Sequence, residues 1–117
     1  MERKRAVSAW VKNLYAGECQ LCGITLAVPG GTAAAGAHIR PLGGVHAGPD
    51  TADNVLCLCH NCHYLFDNRG LVVGDDLSVY RYGDPVAQGR LRISAHHEVD
   101  TQHLRYHRQL SSWAAGL

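Results

Sequence analysis

The chain is short of the residues that fill a hydrophobic core: one phenylalanine among 117 residues, set against thirteen glycines. It also lacks a long apolar run. Its longest uncharged stretch, Gly23 to His38, is interrupted by Pro29, Gly30 and Gly31, which excludes a membrane span there. No secretory leader is expected, and five cysteines make an odd count, so a secreted disulfide scaffold is disfavoured. The expected setting is reducing and cytoplasmic, where paired cysteines bind metal more often than each other. Charge of one sign is scarce as well. The formal net charge is +1 with eight histidines counted neutral, below what a dedicated nucleic-acid binder carries. At this length a single domain, 1–117, is expected, and a chain so small and rich in loops often needs a staple beyond its core.

What charge there is lies unevenly. Basic residues crowd the start (Arg3, Lys4, Arg5, Lys12) and the tail (Arg90, Arg92, Arg105, Arg108). Residues 3–16 read as a helix with Ala6, Trp10, Leu14 and Tyr15 near one face, ended by Gly17. A short strand at 24–28 closes at "PGG", and "AAAGAHIRPL" forms a strand that must stop near Pro41. "GGVHAGPDTAD" is a loop by composition. "NVLCL" reads as a strand, and a short helix runs from Cys59 or His60 to about Asn68, stopped by Gly70. The tail, 71–113, predicts three short strands in "LVVG", "LSVYRYG" and "GRLRIS". A helix over 100–113 follows, N-capped by Asp100 or Thr101, with Leu104, His107, Leu110 and Trp113 on one face. The expected class is small α+β: a hairpin packed on a helix, between an N-terminal helix and a tail of strands and helix.

Cys19-x-x-Cys22 and Cys59-x-x-Cys62 form two knuckles. Each bends the backbone so that two thiolates converge, and together they complete a tetrahedral Zn²⁺ shell. A redox CxxC is the competing reading, but two pairs are present and no redox fold surrounds them. Four thiolates leave no open coordination position, so the expected zinc is structural. Cys57 is the spare; strand alternation points it the same way as Cys59, and it reads as a small buried apolar residue.

His38, Asn54 and His63 then remain, one on each arm of the hairpin–helix unit. Singly each has a plain explanation: a strand-end histidine, a turn former, a residue packed beside the zinc. Jointly, because the zinc ties the ends of the unit together, His38 and His63 are expected to face each other across one groove. His46 and His60 read as solvated. His96, His97, His103 and His107 hint at a second metal site, and His103 and His107 are spaced i, i+4, but no HExxH pattern accompanies them.

The stretch "CQLCG…AHIRPLGGVHAGPDTADNVLCLCHNCHYLFD", Cys19 to Asp67, resembles the HNH endonuclease family, the zinc-stapled form of the ββα-metal nuclease fold. The resemblance rests on the two knuckles, "HIRP" after a strand, the Gly-rich loop, the Asn before "LC" and the "CHxxFD" ending. His38, Asn54 and His63 stand at the three positions that name the family. The tail, "LFDNRGLVV…DDLSVYR…HHEVDTQHLRYHR", resembles the HNH domains attached to base-recognition domains in modification-dependent restriction enzymes.

The resemblance implies hydrolysis of phosphodiester bonds in double-stranded DNA, leaving a 5′-phosphate and a 3′-hydroxyl. It implies His38 as general base, its tautomer fixed by a carbonyl, and His63 as ligand of a catalytic Mg²⁺ or Mn²⁺. Asn54 either ligates that ion or pins the loop carrying His38. Arg40, two residues past His38, is placed to grip a phosphate oxygen. Ala37 stands where many members have a metal ligand, so a substitute is expected. Asp67, four residues after His63 on one helical face, is the first candidate and Asp50 the next. Arg105 and Arg108 are candidates for DNA-backbone contact. Cutting both strands implies a homodimer, and target choice implies a separate or fused recognition domain. The alternatives are a catalytically silent zinc module that binds nucleic acid or protein, and an RNA-directed nuclease.

Overall fold

The computed structural model describes residues 2–117, with side chains from residue 6 onward, so the expected basic cluster at Arg3, Lys4 and Arg5 lies outside the described side chains. In chain order the elements are α1 (Glu2–Leu14), β1 (Ala27–Val28), β2 (Gly31–Thr32), β3 (Ala35–His38), a 3₁₀ turn (Ala52–Asn54), β4 (Val55–Leu58), α2 (His60–Asp67), β5 (Leu71–Val73), β6 (Ser78–Arg81), β7 (Gly89–Arg90) and α3 (Thr101–Gln109). No helix is long and apolar enough to cross a membrane.

β3 and β4 pair antiparallel from Ala35–Leu58 to His38–Val55, and every residue of β4 is buried. Both faces of this hairpin are covered. Val55 and Cys57 point to α1 and pack on Val11, while Ala37, Leu56 and Leu58 point to α2 and join Phe66 in the main core. Such double coverage explains why "VLCL" is apolar throughout instead of alternating. The lone phenylalanine is fully buried at the centre, and His107 of α3 stacks on it with ring centroids 3.8 Å apart. β5, β6 and β7 form a separate antiparallel sheet, and α3 packs on β5.

Several local expectations shift. α3 ends at Gln109, short of the expected 113, so Leu110 and Trp113 lie beyond the helix. The inward face of α1 carries Val7 and Val11, one residue on from the expected Ala6, Trp10 and Leu14, while Tyr15 just beyond the helix packs inward as expected and Trp10 is 47% exposed. Gly36 explains the choice of face: a Cβ there would lie 2.6 Å from Cβ of Ser8, so α1 rests directly on the strand backbone at that point. α2 ends through Asn68 and Arg69, and it is Arg69, not Gly70, that takes the left-handed conformation (φ 56°). Cys57 is buried as expected but on the α1 side, opposite to Cys59. β4 ends at Leu58, so strand alternation does not carry to Cys59.

Candidate active site

The two knuckles bring Cys19, Cys22, Cys59 and Cys62 together, with all four sulfurs within 4.8 Å of one another. Sγ of Cys22 and Cys59 are 3.7 Å apart. A tetrahedral zinc with Zn–S of about 2.3 Å requires a sulfur–sulfur edge of about 3.8 Å, so the donors and their spacing suit that ion. Their titration suits it as well. Burial raises the Cys19 thiol, yet backbone N–H groups of Cys59, Cys22 and Leu21 outweigh it and pull the group below its ordinary value. Burial and the Cys19 charge push Cys62 far up. Cys19 and Cys62 are thus pulled in opposite directions, a conflict that a divalent cation removes. Cys59 is also the N-cap of α2, its sulfur accepting from the Cys62 N–H at 3.4 Å, so the metal cluster sets where that helix begins.

Beyond β3 the chain leaves the ladder and returns through the 3₁₀ turn. Asn54, fully buried, closes this loop. Its Oδ1 accepts from the Arg40 N–H at 2.8 Å, and its Nδ2 donates to the carbonyls of Arg40 (2.9 Å) and Pro49 (2.8 Å). Gly48 lets the loop fold tightly, since a Cβ would fall 2.1 Å from the Arg40 carbonyl oxygen. The closed loop carries Asp50 against His38, with Nε2 2.9 Å from Oδ1, and leaves the two side chains 15% and 22% exposed. On α2, Nε2 of His63 lies 3.1 Å from Oδ2 of Asp67, these side chains being 35% and 51% exposed. Arg69 donates to the Asp67 backbone carbonyl, not to its carboxylate, which leaves that carboxylate to His63. Among the described residues no hydrogen bond or ion pair joins the His38–Asp50 pair to the His63–Asp67 pair; both reach solvent.

Residues 19–74 match the HNH endonuclease family. The modification-dependent TagI restriction endonuclease, a solved structure, aligns over 92% of this chain with a TM-score of 0.88 and 44% sequence identity. Residues 19–74 are an HNH endonuclease segment. The chain covers 38% of the TagI chain's length. No curated protein matches it. His38, Asn54, His63, Arg40, Asp50, Asp67 and all four knuckle cysteines lie within the matched HNH segment.

α3 lies outside that segment and still builds the HNH site. Tyr106 places its ring under Arg40, with the guanidinium carbon 4.2 Å from the ring centroid, and its hydroxyl meets Nδ1 of His46 at 2.7 Å. Arg40 Nε in turn donates to the His46 carbonyl. His46 is therefore a structural member of the loop and not the solvated residue expected. Gln20, inside the first knuckle and fully buried, donates to the Arg92 carbonyl and accepts from the Cys57 N–H, each at 2.8 Å. The aromatic tail "LRYHR" reads as packing on the core, but nothing in the sequence points to these partners of Tyr106 or of Gln20, which lie 37 to 72 residues away.

The tail histidines do not gather into one metal site. His97 joins Tyr15 and the Ala52 carbonyl, and His107 is turned inward to the Phe66 carbonyl at 2.7 Å. His103 stands 3.9 Å from Asp53 and 3.8 Å from Asp100, a cluster of one imidazole and two carboxylates that includes no second tail histidine. One oxygen of each carboxylate is engaged, by Thr51 or in the α3 N-cap. The expected DNA role of Arg108 does not fit its placement: it is buried, bonding Asp75 and the Val73 carbonyl at 2.8 Å each. Arg105 also meets Asp75 at 2.8 Å but keeps its side chain 53% exposed. Those two guanidiniums hold Asp75 below the usual carboxylate range.

Proposed function

We propose that the chain is the cleavage module of a DNA restriction system, hydrolysing phosphodiester bonds in double-stranded DNA with dependence on Mg²⁺ or Mn²⁺. The observation that carries this reading is the His38–Asp50 pair, held by a loop that Asn54 pins shut and left open to solvent. Asp50 accepts, so Nε2 carries the proton and Nδ1 offers its lone pair to water. His38 Nδ1 takes the proton as the water oxygen attacks phosphorus; the bond to the 3′-oxygen breaks and that oxygen takes a proton from solvent, leaving a 5′-phosphate and a 3′-hydroxyl.

The cation, when bound, stabilises charge on the departing and non-bridging oxygens. His63 and Asp67 are the residues that would hold it. Their donor atoms are 3.1 Å apart, and neighbouring ligands of an octahedral ion at about 2.1 Å stand about 3.0 Å apart. Two protein donors suffice for a hard cation that keeps most of its waters. In this reading Asn54 positions the loop instead of ligating, since its amide is spent on backbone groups. Arg40, stiffened by Tyr106 and His46, presents its guanidinium to a phosphate oxygen.

The similarity to a modification-dependent enzyme, together with the 38% coverage, supports a recognition domain elsewhere that selects a modified target. Residues 1–117 then act as one HNH domain in a cytoplasmic enzyme, and paired copies cut both strands. The test is plasmid nicking with Mg²⁺, Mn²⁺ or EDTA, on methylated and unmethylated DNA. His38→Ala is expected to abolish metal-dependent nicking while zinc content and helical signal stay unchanged. Nicking that survives would remove His38 as the base.

A further inference from the structure

At about 100° per residue, His63 and Asp67 share one flank of α2, Asn61 and Leu65 lie on the other, and Tyr64 forms the crest between them. The flank away from His63 borders a second cleft of about 730 Å³. Leu21 and Leu71 line it, and Arg81, Arg90 and Arg92 converge on it, while no carboxylate is among its lining residues. Three of the chain's eleven Lys and Arg thus meet in one place on a molecule whose net charge is +1. All three are exposed, and Tyr64 is 70% exposed. Their protein contacts leave capacity to spare: Arg90 donates from one nitrogen to the Asp76 carbonyl, and Arg92 stands 4.0 Å from a half-exposed Glu18, a pairing of little strength in water.

We propose that this cleft binds the phosphodiester backbone of the DNA substrate away from the bond that is cut, with Arg81, Arg90 and Arg92 gripping its phosphates. The proposal rests on the nuclease reading and extends it to a surface contributed by β6, β7 and the segment that follows. Guanidinium groups match phosphate oxygens two bonds at a time, and such contacts fix the register of a duplex without reading its sequence. A duplex lying across the crest of α2 touches the His63 flank and the arginine cleft together. The competing role for these arginines is to offset charge on the zinc thiolates, because Cys22, Cys59 and Cys62 line the same cleft.

The experiment measures binding to a duplex oligonucleotide over a salt series, in a His38→Ala background so that no substrate is cut. Changing all three residues (R81Q, R90Q, R92Q) is expected to lower the slope of log K against log salt by about 0.9 for each phosphate that is no longer neutralised, so by roughly 2 to 3. The corresponding lysine variants keep the slope. An unchanged slope with zinc retained overturns the proposal, and so does loss of zinc with an unchanged slope, which assigns the arginines to the thiolates. Should the triple variant fail to fold, Arg81→Gln alone, outside both knuckles, is expected to lower the slope by about 0.9. Nicking by the unaltered chain is scored separately. A chain that binds with the arginine-dependent slope but cuts nothing supports the cleft while removing the nuclease reading. One that binds no duplex overturns both.

Discussion

The His38 imidazole meets the carboxylate of Asp50, Nε2 to Oδ1 at 2.9 Å, where a backbone carbonyl had been expected to fix its tautomer. A carboxylate holds the ring at least as firmly and stabilises the imidazolium that forms once a proton has been taken. In the proposed mechanism it makes Asp50 the partner of the base instead of an ion ligand.

Asp50→Asn should therefore lower nicking by roughly 10- to 100-fold, the usual effect of losing a group that orients a functional histidine. The metal concentration for half-maximal activity should stay where it was. The rate at saturating metal separates the two roles: removing an orienting carboxylate lowers that rate, whereas losing an ion ligand moves the metal titration. A shifted metal titration with an unchanged rate at saturating metal would return Asp50 to the ion.

Asp67→Asn should do the reverse. Its carboxylate lies 3.1 Å from His63 Nε2 and is half exposed, so the change should leave folding nearly untouched. The expected outcome is a tenfold or larger rise in the Mg²⁺ needed for half activity, an order of magnitude set by losing one of two protein donors. An unchanged titration curve would retire Asp67 as a ligand.

Cys59→Ser strikes both the zinc shell and the start of α2, because the same sulfur lies in the metal cluster and caps the helix. Zinc release and loss of helical signal are expected together, with thermal unfolding of what remains no longer cooperative. A folded, zinc-free variant would show that the apolar core alone carries the fold.

Acid should weaken the chain through His107. Burial drives this imidazole down to about 4, well below its ordinary value. A histidine with a depressed folded pKa stays neutral in the native state while the unfolded chain takes up a proton. Its contribution is therefore complete above pH 6.5 and is lost as pH falls from there toward 4. The size is roughly 3 kcal/mol. Zinc thiolates also protonate in acid, so the measurement is a difference. Urea midpoints at pH 7 and 5 should fall further for the unaltered protein than for His107→Phe, which shares the zinc but not the titration. Equal losses in both would assign the acid sensitivity to zinc alone.

Much of the site was legible because its signals are local. A CxxC spacing bends the backbone wherever it occurs, and "DNVLCLCH" passes from strand to capped helix within a few residues. Asp100 caps α3 as its position next to a helical run implied. What was misread involved pairs far apart in the chain. The face of α1 follows from where Gly36 admits Ser8, and the fate of Arg108 follows from Asp75, 33 residues away. Composition marked Arg105 and Arg108 as surface charge. Packing turned Arg108 into the core, because a carboxylate and a carbonyl were there to satisfy it.

By itself the sequence determined the zinc knuckles, the hairpin and helix they bracket, and the three residues His38, Asn54 and His63 on its arms. These follow from spacing along a few residues of backbone, where torsional preference and ligand geometry act directly. Only the tertiary structure decided that Asp50 partners His38, that Tyr106 supports Arg40, and that three arginines of the tail line a cleft beside α2. Those relationships depend on which surfaces close against one another. Burial and long-range hydrogen bonding settle that for the chain as a whole, and no local pattern encodes it.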